Sequence, residues 1–306
     1  MANLTVSNLT NVTMKGEAKY VFSVIILCLT IIINVIACPF TIGLNVLVIM
    51  AIKRRPRLQN NSNIMLACLA VTDVLTGLTT QPSYVLWQTL FLLGNDTAAV
   101  FSTISGLSIN VLTYSSALHL MMVVGEKLIA IKYPFWYPYI VTTRNIKMGV
   151  VFCWAYGSSF GIPIRLMDDG RSTLYYISAS HILFACIFFV CCSYIILFFK
   201  TRRHQKMIKA QQLPQEQVET FLKENKALKT TVLVVGALGL CLFPAFVYLV
   251  LLAGRFVPRI DSITIISRTL LMINSILNPL IYCWRQEEIR KFVFRTLVQV
   301  SGNEIG

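Results

Sequence analysis

The chain alternates between long apolar segments and short polar ones. Seven of the apolar segments have the length of about 20 residues that a helix needs to cross a bilayer. We predict the spans at residues 21–52, 63–91, 98–131, 146–165, 177–200, 228–253 and 263–284. The pattern therefore predicts an all-α membrane protein, a seven-transmembrane helix bundle over residues 21–284.

Polar segments flank the predicted bundle on both sides. Residues 1–20 are predicted to form an extracellular N-terminus, and residues 298–306 a short cytoplasmic tail. Between the last span and this tail, apolar residues recur at helical spacing, opposite three basic ones: Ile289, Phe292, Val293 and Leu297 against Arg290, Lys291 and Arg295. This spacing predicts a short amphipathic helix over residues 285–297 that lies on the membrane surface.

Composition agrees with a membrane protein. Apolar residues make up 56% of the chain and charged residues only 13%, against about 25% charged residues in a typical soluble domain. The net charge of +14 would suggest a nucleic-acid partner in a soluble protein. Here the charges lie between apolar segments, so we predict a lipid membrane and no nucleic acid as the partner.

The distribution of basic residues predicts the orientation. Twenty of the 27 Lys and Arg residues fall on one side of the predicted spans, and the side rich in these residues is normally cytoplasmic. The N-terminus is then outside, as expected for a multi-pass protein of the plasma membrane. Glycosylation sequons fall on this predicted outer side, at Asn3, Asn8, Asn11 and Asn95.

Several polar residues lie inside the predicted spans, where an unpaired polar group is costly. They are Asp73, Ser116, Asn274, Ser275 and Asn278. Their carboxylate, hydroxyl and amide oxygens suit a hard cation such as Na⁺, or a network of water molecules. Interhelical hydrogen bonds without an ion are the alternative.

Short motifs in several of the spans give a family resemblance. They are Gly43-Leu-Asn45 in span one, Leu69-Ala-Val-Thr-Asp73 in span two, Trp154 in span four, Tyr194 in span five, Cys241-Leu-Phe-Pro244 in span six and Asn278-Pro-Leu-Ile-Tyr282 in span seven. In this order the motifs resemble those of rhodopsin-like (class A) G-protein-coupled receptors. The resemblance extends over about residues 20–297.

The resemblance implies a receptor and not an enzyme. It implies an extracellular ligand, a heterotrimeric G protein on the cytoplasmic side, and activation by outward movement of the sixth helix. It also implies that the intramembrane polar residues form an allosteric Na⁺ site around Asp73, with no other cofactor. By the same resemblance, activation and coupling residues are Glu126, Lys127, Tyr194, Glu224, Pro244, Asn278, Pro279 and Tyr282.

The chain departs from the family pattern at several positions. The acidic-Arg-Tyr triplet reads Glu126-Lys127-Leu128, and Lys lacks the planar fork of Arg. We expect Lys127 to pair with Glu224 in the resting state; pairing with Glu126 or with lipid headgroups is the alternative. Leu242 stands where the family has tryptophan, and the outer-face disulfide cysteines and the proline of span five are missing. The lack of these cysteines and of this proline resembles the pattern of melanocortin-type receptors.

The predicted ligand pocket lies at the outer end of the bundle. Ile109 occupies the place where amine receptors have aspartate, so a biogenic amine is not expected. The candidate lining residues are Gln81, Tyr84, Asn110, Thr113, His181, Phe246 and Arg268. Arg268 is the one cation among them, and it can hold a carboxylate or phosphate or pair with Asp261, Asp168 or Asp169.

Two other function classes are less consistent with the sequence. Residues 157–161 fit the GxSxG pattern of serine hydrolases, but that motif requires a strand-turn-helix setting. Within a span, Gly157 and Gly161 instead indicate close helix packing. A transporter or channel, or a receptor-like protein that does not couple, is the remaining alternative, although neither inverted repeats nor broken helices are evident.

Overall fold

The structure, a computed structural model, describes residues 2–166, 173–210, 241–256 and 261–303. All regular secondary structure in these residues is helical. The helices are α1 (Ala2–Arg54), α2 (Asn61–Leu75), α3 (Gln81–Leu92), α4 (Ala98–Lys132), α5 (Tyr137–Ile140), α6 (Thr143–Leu166), α7 (Thr173–Ala210), α8 (Cys241–Ala253), α9 (Asp261–Arg285) and α10 (Glu287–Asn303). The expectation of an all-α fold is confirmed.

Helices lie over all seven predicted spans. Within the described residues, four helical segments are long and apolar enough to cross a membrane: Val21–Arg54, Asn61–Leu92, Ala98–Lys132 and Ser262–Trp284. Two shorter apolar helices, Ser180–Ser193 and Cys241–Ala253, fall in predicted spans five and six. Helix α6 covers predicted span four. Residues 211–240, which include the start of predicted span six, lie outside the described residues.

Three helices extend well beyond their predicted limits. Helix α7 ends at Ala210, ten residues past the predicted end of span five at 200. Helix α1 begins at Ala2 and continues into span one, and its first proline is Pro39. The segment predicted as a polar extracellular N-terminus is therefore helical. Helix α10 continues to Asn303, six residues past the predicted end at Leu297, so most of the predicted tail is also helical.

Helix α10 packs its apolar face against the bundle. Ile289, Phe292 and Val293 are buried, and the helix contacts α1 and α9. The guanidinium of Arg55 lies 5.8 Å from the centre of the Phe292 ring. Arg290, Lys291 and Arg295 are exposed on the other face, as expected for an amphipathic helix at a membrane surface.

Span two contains an irregular turn. A π-helical turn at Thr76–Thr80 separates α2 from α3, and Pro82 follows it. Such turns insert one extra residue and are frequent at functional sites. Gly77 lies in this turn, and a Cβ added there would come within 2.6 Å of the Ile42 side chain. The turn thus begins three residues after Asp73 and lets span two approach span one closely.

Span three, helix α4, lies at the centre of the bundle. It packs against α2, α3, α6, α7 and α9. Its contact with α6 is close because Gly157 and Gly161 of α6 face the α4 backbone at Val111. The packing interpretation of this glycine pair therefore agrees with the structure.

Polar side chains join span one to span seven along its length. The Asn34 amide donates to the Thr269 hydroxyl at 3.3 Å, and the Asn45 amide donates to the Ser275 carbonyl at 3.0 Å. Nearer the outer end, the Ser262 hydroxyl donates to Ser23 at 3.1 Å. Because a bilayer offers no competing water, such bonds help hold neighbouring spans together.

Candidate functional site

The intramembrane polar residues meet between spans two, three and seven. The Asn278 amide donates to Oδ2 of Asp73 at 2.9 Å, and Asp73 is completely buried. Ser116, Asn274, Ser275 and Asn278 line one small cavity of about 30 Å³. We call it the inner cavity. Asp73 reaches it through Asn278, so all five predicted residues belong to one local cluster.

This cluster has unused oxygen atoms. Oδ1 of Asp73 and Oδ1 of Asn274 are buried and accept no hydrogen bond. A cavity of 30 Å³ exceeds the roughly 10–15 Å³ that one water needs. Carboxylate, amide and hydroxyl oxygens are the ligands that hard cations prefer. The residues present therefore fit either a Na⁺ ion or ordered water.

A second cavity lies nearer the predicted outer face, between spans three, five, six and seven. It has a volume of about 90 Å³, and we call it the outer cavity. Asn110 and Thr113 of span three and Arg268 of span seven supply polar groups to its wall, and apolar residues such as Leu183, Ala245 and Leu252 supply most of the rest. A mostly apolar wall with a few polar groups is typical of a small-molecule site, although this cavity is smaller than the usual volume of about 300–1,000 Å³.

Three of the seven predicted pocket residues, Asn110, Thr113 and Arg268, line the outer cavity. The other four are placed elsewhere. Gln81 is fully buried, and the Tyr84 hydroxyl donates to the Ile265 carbonyl at 2.9 Å. His181 lies 2.7 Å from the Tyr156 hydroxyl, and Phe246 packs against Phe184. Span periodicity alone did not distinguish these buried contacts from cavity lining.

Arg268 has an aromatic neighbour. Its guanidinium lies 5.5 Å from the centre of the Trp87 ring, a cation–π contact. No described carboxylate pairs with it. Of the three aspartates considered as partners, Asp168 and Asp169 lie outside the described residues, as does the side chain of Asp261.

The altered triplet forms a polar cluster at the end of span three that is predicted to be cytoplasmic. Glu126 is buried, and its carboxylate oxygens accept hydrogen bonds from Tyr137 at 2.7 Å and from Ser62 at 3.3 Å. The Lys127 ammonium lies 2.9 Å from Glu126 and donates to the Ser62 hydroxyl at 2.5 Å. We call Ser62, Glu126, Lys127 and Tyr137 the cytoplasmic cluster. It connects spans two and three to the following loop.

The loop after span three is fixed by this cluster. Burial and the neighbouring Glu126 carboxylate raise the pKa of the Tyr137 hydroxyl, so Tyr137 stays protonated and continues to donate. The Asn61 amide donates to the Val141 carbonyl at 2.6 Å, which joins the start of span two to the same loop. Phe135, Trp136 and Tyr139 project from the loop and are largely exposed.

The remaining described activation residues lie in spans five, six and seven. Tyr282 and Pro279 are buried near the end of span seven, and Pro244 lies in the described part of span six. Tyr194 lies on α7, but its side chain is outside what the structure describes. Glu224 is also outside the described residues, so the expected Lys127–Glu224 pair stays a prediction.

Leu242, which replaces the family tryptophan, lies at the wall of the inner cavity. Ala245, one turn later on span six, lines the outer cavity. The two cavities also share Ile109, Thr113 and Leu271 as wall residues. Leu242 thus stands between the predicted ligand site and the Asp73 cluster.

Other sequence predictions concern the outer face. All nine cysteines are free, in agreement with the expected lack of an outer disulfide. Asn95 lies in the exposed loop between α3 and α4, where its side chain accepts bonds from the Thr97 amide and hydroxyl at 2.9 and 2.7 Å. The side chains of Asn3, Asn8 and Asn11 are outside what the structure describes.

Comparisons with known proteins agree with the motifs. The sequence profile of the 7 transmembrane receptor (rhodopsin family) matches residues 44–282. The chain is 26% identical over 278 residues to melanocortin receptor 5 of Homo sapiens, which covers 85% of this chain and 81% of that receptor. It is 27% identical over 290 residues to adenosine receptor A2a of Cavia porcellus, which covers 83% of this chain and 69% of that receptor.

Proposed function

The chain belongs to the rhodopsin family of seven-transmembrane receptors, which are receptors and not enzymes, and on that basis we propose that it binds an extracellular ligand in the outer cavity and activates a heterotrimeric G protein. The family and the apolar helices make it a multi-pass protein of the plasma membrane. Ligand binding, coupling and the movement of span six are parts of the proposal.

One observation supports this proposal most strongly. The outer cavity and the inner cavity share Ile109, Thr113 and Leu271, so an occupant of the first contacts the wall of the second. Asp73 and Asn278 lie next to the inner cavity, and Asn278 begins the motif that ends at Tyr282. A shift of the wall residues caused by a ligand in the outer cavity can therefore pass through side chains in contact to Asn278 and on to Tyr282.

The proposed mechanism is a shift between two arrangements of the bundle. A ligand that contacts span six near Ala245 favours the arrangement in which the cytoplasmic end of this span moves outward. Pro244 removes a backbone hydrogen bond and allows a bend there. Leu242 is smaller than the family tryptophan, so span six meets less steric resistance as it rotates past the inner cavity.

The cytoplasmic cluster is the proposed switch for G-protein coupling. In the structure Lys127 contacts Glu126, the alternative partner named above, and Ser62; we propose that in the resting state it also pairs with Glu224. Release of Lys127 would open a groove for a helix of the G-protein α subunit. The exposed aromatic residues Phe135, Trp136 and Tyr139 of the loop after span three would offer this helix an apolar contact surface.

The ligand class is only partly constrained. The two compared relatives are named as a melanocortin receptor and an adenosine receptor, and their identities to this chain are nearly equal, at 26% and 27%. They therefore do not favour one ligand class. We expect a ligand other than a biogenic amine, because apolar Ile109 stands where an amine would need a carboxylate.

We also propose that the Asp73 cluster binds Na⁺ and that the N-terminus is extracellular. The unpartnered oxygens of Asp73 and Asn274 support the first proposal. The exposed Asn95 sequon and the distribution of basic residues support the second. When bound, the ion would supply positive charge to balance the buried Asp73 carboxylate.

Nucleotide exchange on purified G proteins tests the proposed function. The full chain is reconstituted in lipid vesicles. Binding of a non-hydrolysable GTP analogue to each α subunit of a panel is then measured. We expect the receptor to accelerate exchange on at least one α subunit above the level of empty vesicles.

The same vesicles test the alternative class. Ion flux is recorded in parallel with a voltage-sensitive dye. Ion flux that depends on the protein, without nucleotide exchange on any α subunit, would contradict the receptor proposal and favour a transporter or channel.

A further inference from the structure

The largest of the described cavities is separate from the inner cavity and borders the outer cavity at Arg268. It has a volume of about 580 Å³ and lies at the outer ends of spans one, two and seven. Volumes of about 300–1,000 Å³ are typical of small-molecule sites. We call it the side cavity. No step of the proposed activation mechanism uses it.

The side cavity is mostly apolar. Val24 and Leu27 of span one and Phe91 and Leu92 of span two form its apolar walls. Phe91 and Leu92 are exposed at the bundle surface, and in this part of the chain that surface faces lipid. A ligand with a hydrocarbon chain would therefore find apolar contacts both inside the cavity and at its opening.

The polar groups of the side cavity attract an anion. Arg268 lines the cavity, and its guanidinium is held over the Trp87 ring at 5.5 Å without a described carboxylate partner. Gln88 also lines the cavity. It is almost completely buried, and its Nε2 has no hydrogen-bond partner. A guanidinium and an amide N–H group at one place are suited to bind a carboxylate or a phosphate.

We propose that the side cavity binds an anionic amphiphile. Its carboxylate or phosphate head contacts Arg268 and Gln88, and its hydrocarbon chain lies along Val24 and Leu27 toward the lipid. Such a molecule can be a free long-chain acid or a phospholipid with an anionic headgroup. The chemistry required by the cavity is the same for both sources.

Arg268 links this site to the outer cavity. It lines both cavities, and Trp87 lies on the side-cavity wall only. An anion in the side cavity would hold the guanidinium on that side and remove this positive charge from the outer cavity. If the outer cavity is the ligand site proposed above, the amphiphile therefore lowers the affinity for an anionic ligand there.

Direct binding tests the site without any need for G-protein coupling. The purified full chain in nanodiscs of neutral lipid is titrated with parinarate, a fluorescent long-chain carboxylate. Dodecanoate and dodecyl phosphate should displace the probe, whereas dodecanol and butanoate should not, because one lacks the charge and the other lacks the chain. Equal displacement by dodecanol would overturn the proposed role of Arg268.

Two variants test the residues independently. Arg268→Gln should weaken probe binding about tenfold or more. The control for loss of charge is Arg255→Gln, just after the end of helix α8 in span six. Leu27→Trp fills the cavity and should also weaken binding, with Leu86→Trp on the exposed surface of span two as its control for bulk. Unchanged binding in both Arg268→Gln and Leu27→Trp would contradict the proposal.

Phosphatidic acid added to the nanodiscs identifies the source of the amphiphile. Displacement of the probe at a low fraction of phosphatidic acid indicates a membrane lipid. Displacement by dodecanoate alone indicates a free acid, and both results support the site. Displacement by neither compound would overturn it. A protein that binds the probe but fails to stimulate nucleotide exchange would contradict the receptor function and leave this site intact.

Discussion

Replacing Gly161 with leucine should destabilise the bundle by about 3 kcal/mol, at the upper end of the cost of overpacking. A Cβ at this position would lie 2.8 Å from the amide nitrogen and 2.9 Å from the Cα of Val111. These atoms belong to the backbone of span three and cannot rotate away. Leucine is a good helix former, so the loss cannot be attributed to helix propensity.

The same substitution at Gly43 is the matched control. A Cβ added to Gly43 has no neighbour within 4 Å, and its side chain would face lipid. Unfolding in mixed micelles titrated with a denaturing detergent should show a large loss for Gly161→Leu and little change for Gly43→Leu. Equal stability of the two variants would show that spans three and four do not pack as described.

Asp73→Asn should abolish stabilisation of the receptor by sodium. For the wild type, a Na⁺ concentration about ten times the dissociation constant should stabilise the folded state by about 1.4 kcal/mol. Asparagine has nearly the shape of aspartate and retains an oxygen for the Asn278 amide, which lies 2.9 Å away. It lacks the negative charge that a cation requires, so the stabilisation should disappear while the fold remains.

Thermal unfolding in sodium chloride and in choline chloride of equal ionic strength measures this effect without a known ligand. Asp96→Asn, in the exposed loop between α3 and α4, removes the same charge and should retain the full sodium effect. If Asp73→Asn retains it as well, the buried cluster is not a sodium site, and water or interhelical hydrogen bonds would account for its polar residues.

The helical architecture and the Asp73 cluster follow from simple physical constraints. A helix that crosses a bilayer needs a minimum apolar length, so helices at the predicted spans follow from the sequence, although α1 and α7 extend well beyond the predicted limits. Polar residues within spans avoid lipid and turn toward each other, which is why Asp73 and Asn278 meet. Both arguments depend on the membrane and not on details of packing.

Features set by local packing could not be predicted in this way. The π-helical turn at Thr76–Thr80 leaves no periodic signal in the sequence. Tyr137 reaches Glu126 across a loop that begins at Tyr133, and helical spacing gives no guide there. The sequence predicts Arg268 in the ligand pocket, but its contact with Trp87 and the side cavity depend on how spans one, two and seven approach each other.

Recruitment of G-protein α subunits in cells, without added ligand, is the most direct test of the central claim that this receptor couples through the cytoplasmic cluster. We expect the wild type to recruit at least one member of a panel, Lys127→Arg to retain recruitment, and Lys127→Glu to lose it, with all three equally abundant at the cell surface. Recruitment that is unchanged in Lys127→Glu, or absent in the wild type and in Lys127→Arg alike, would contradict the account.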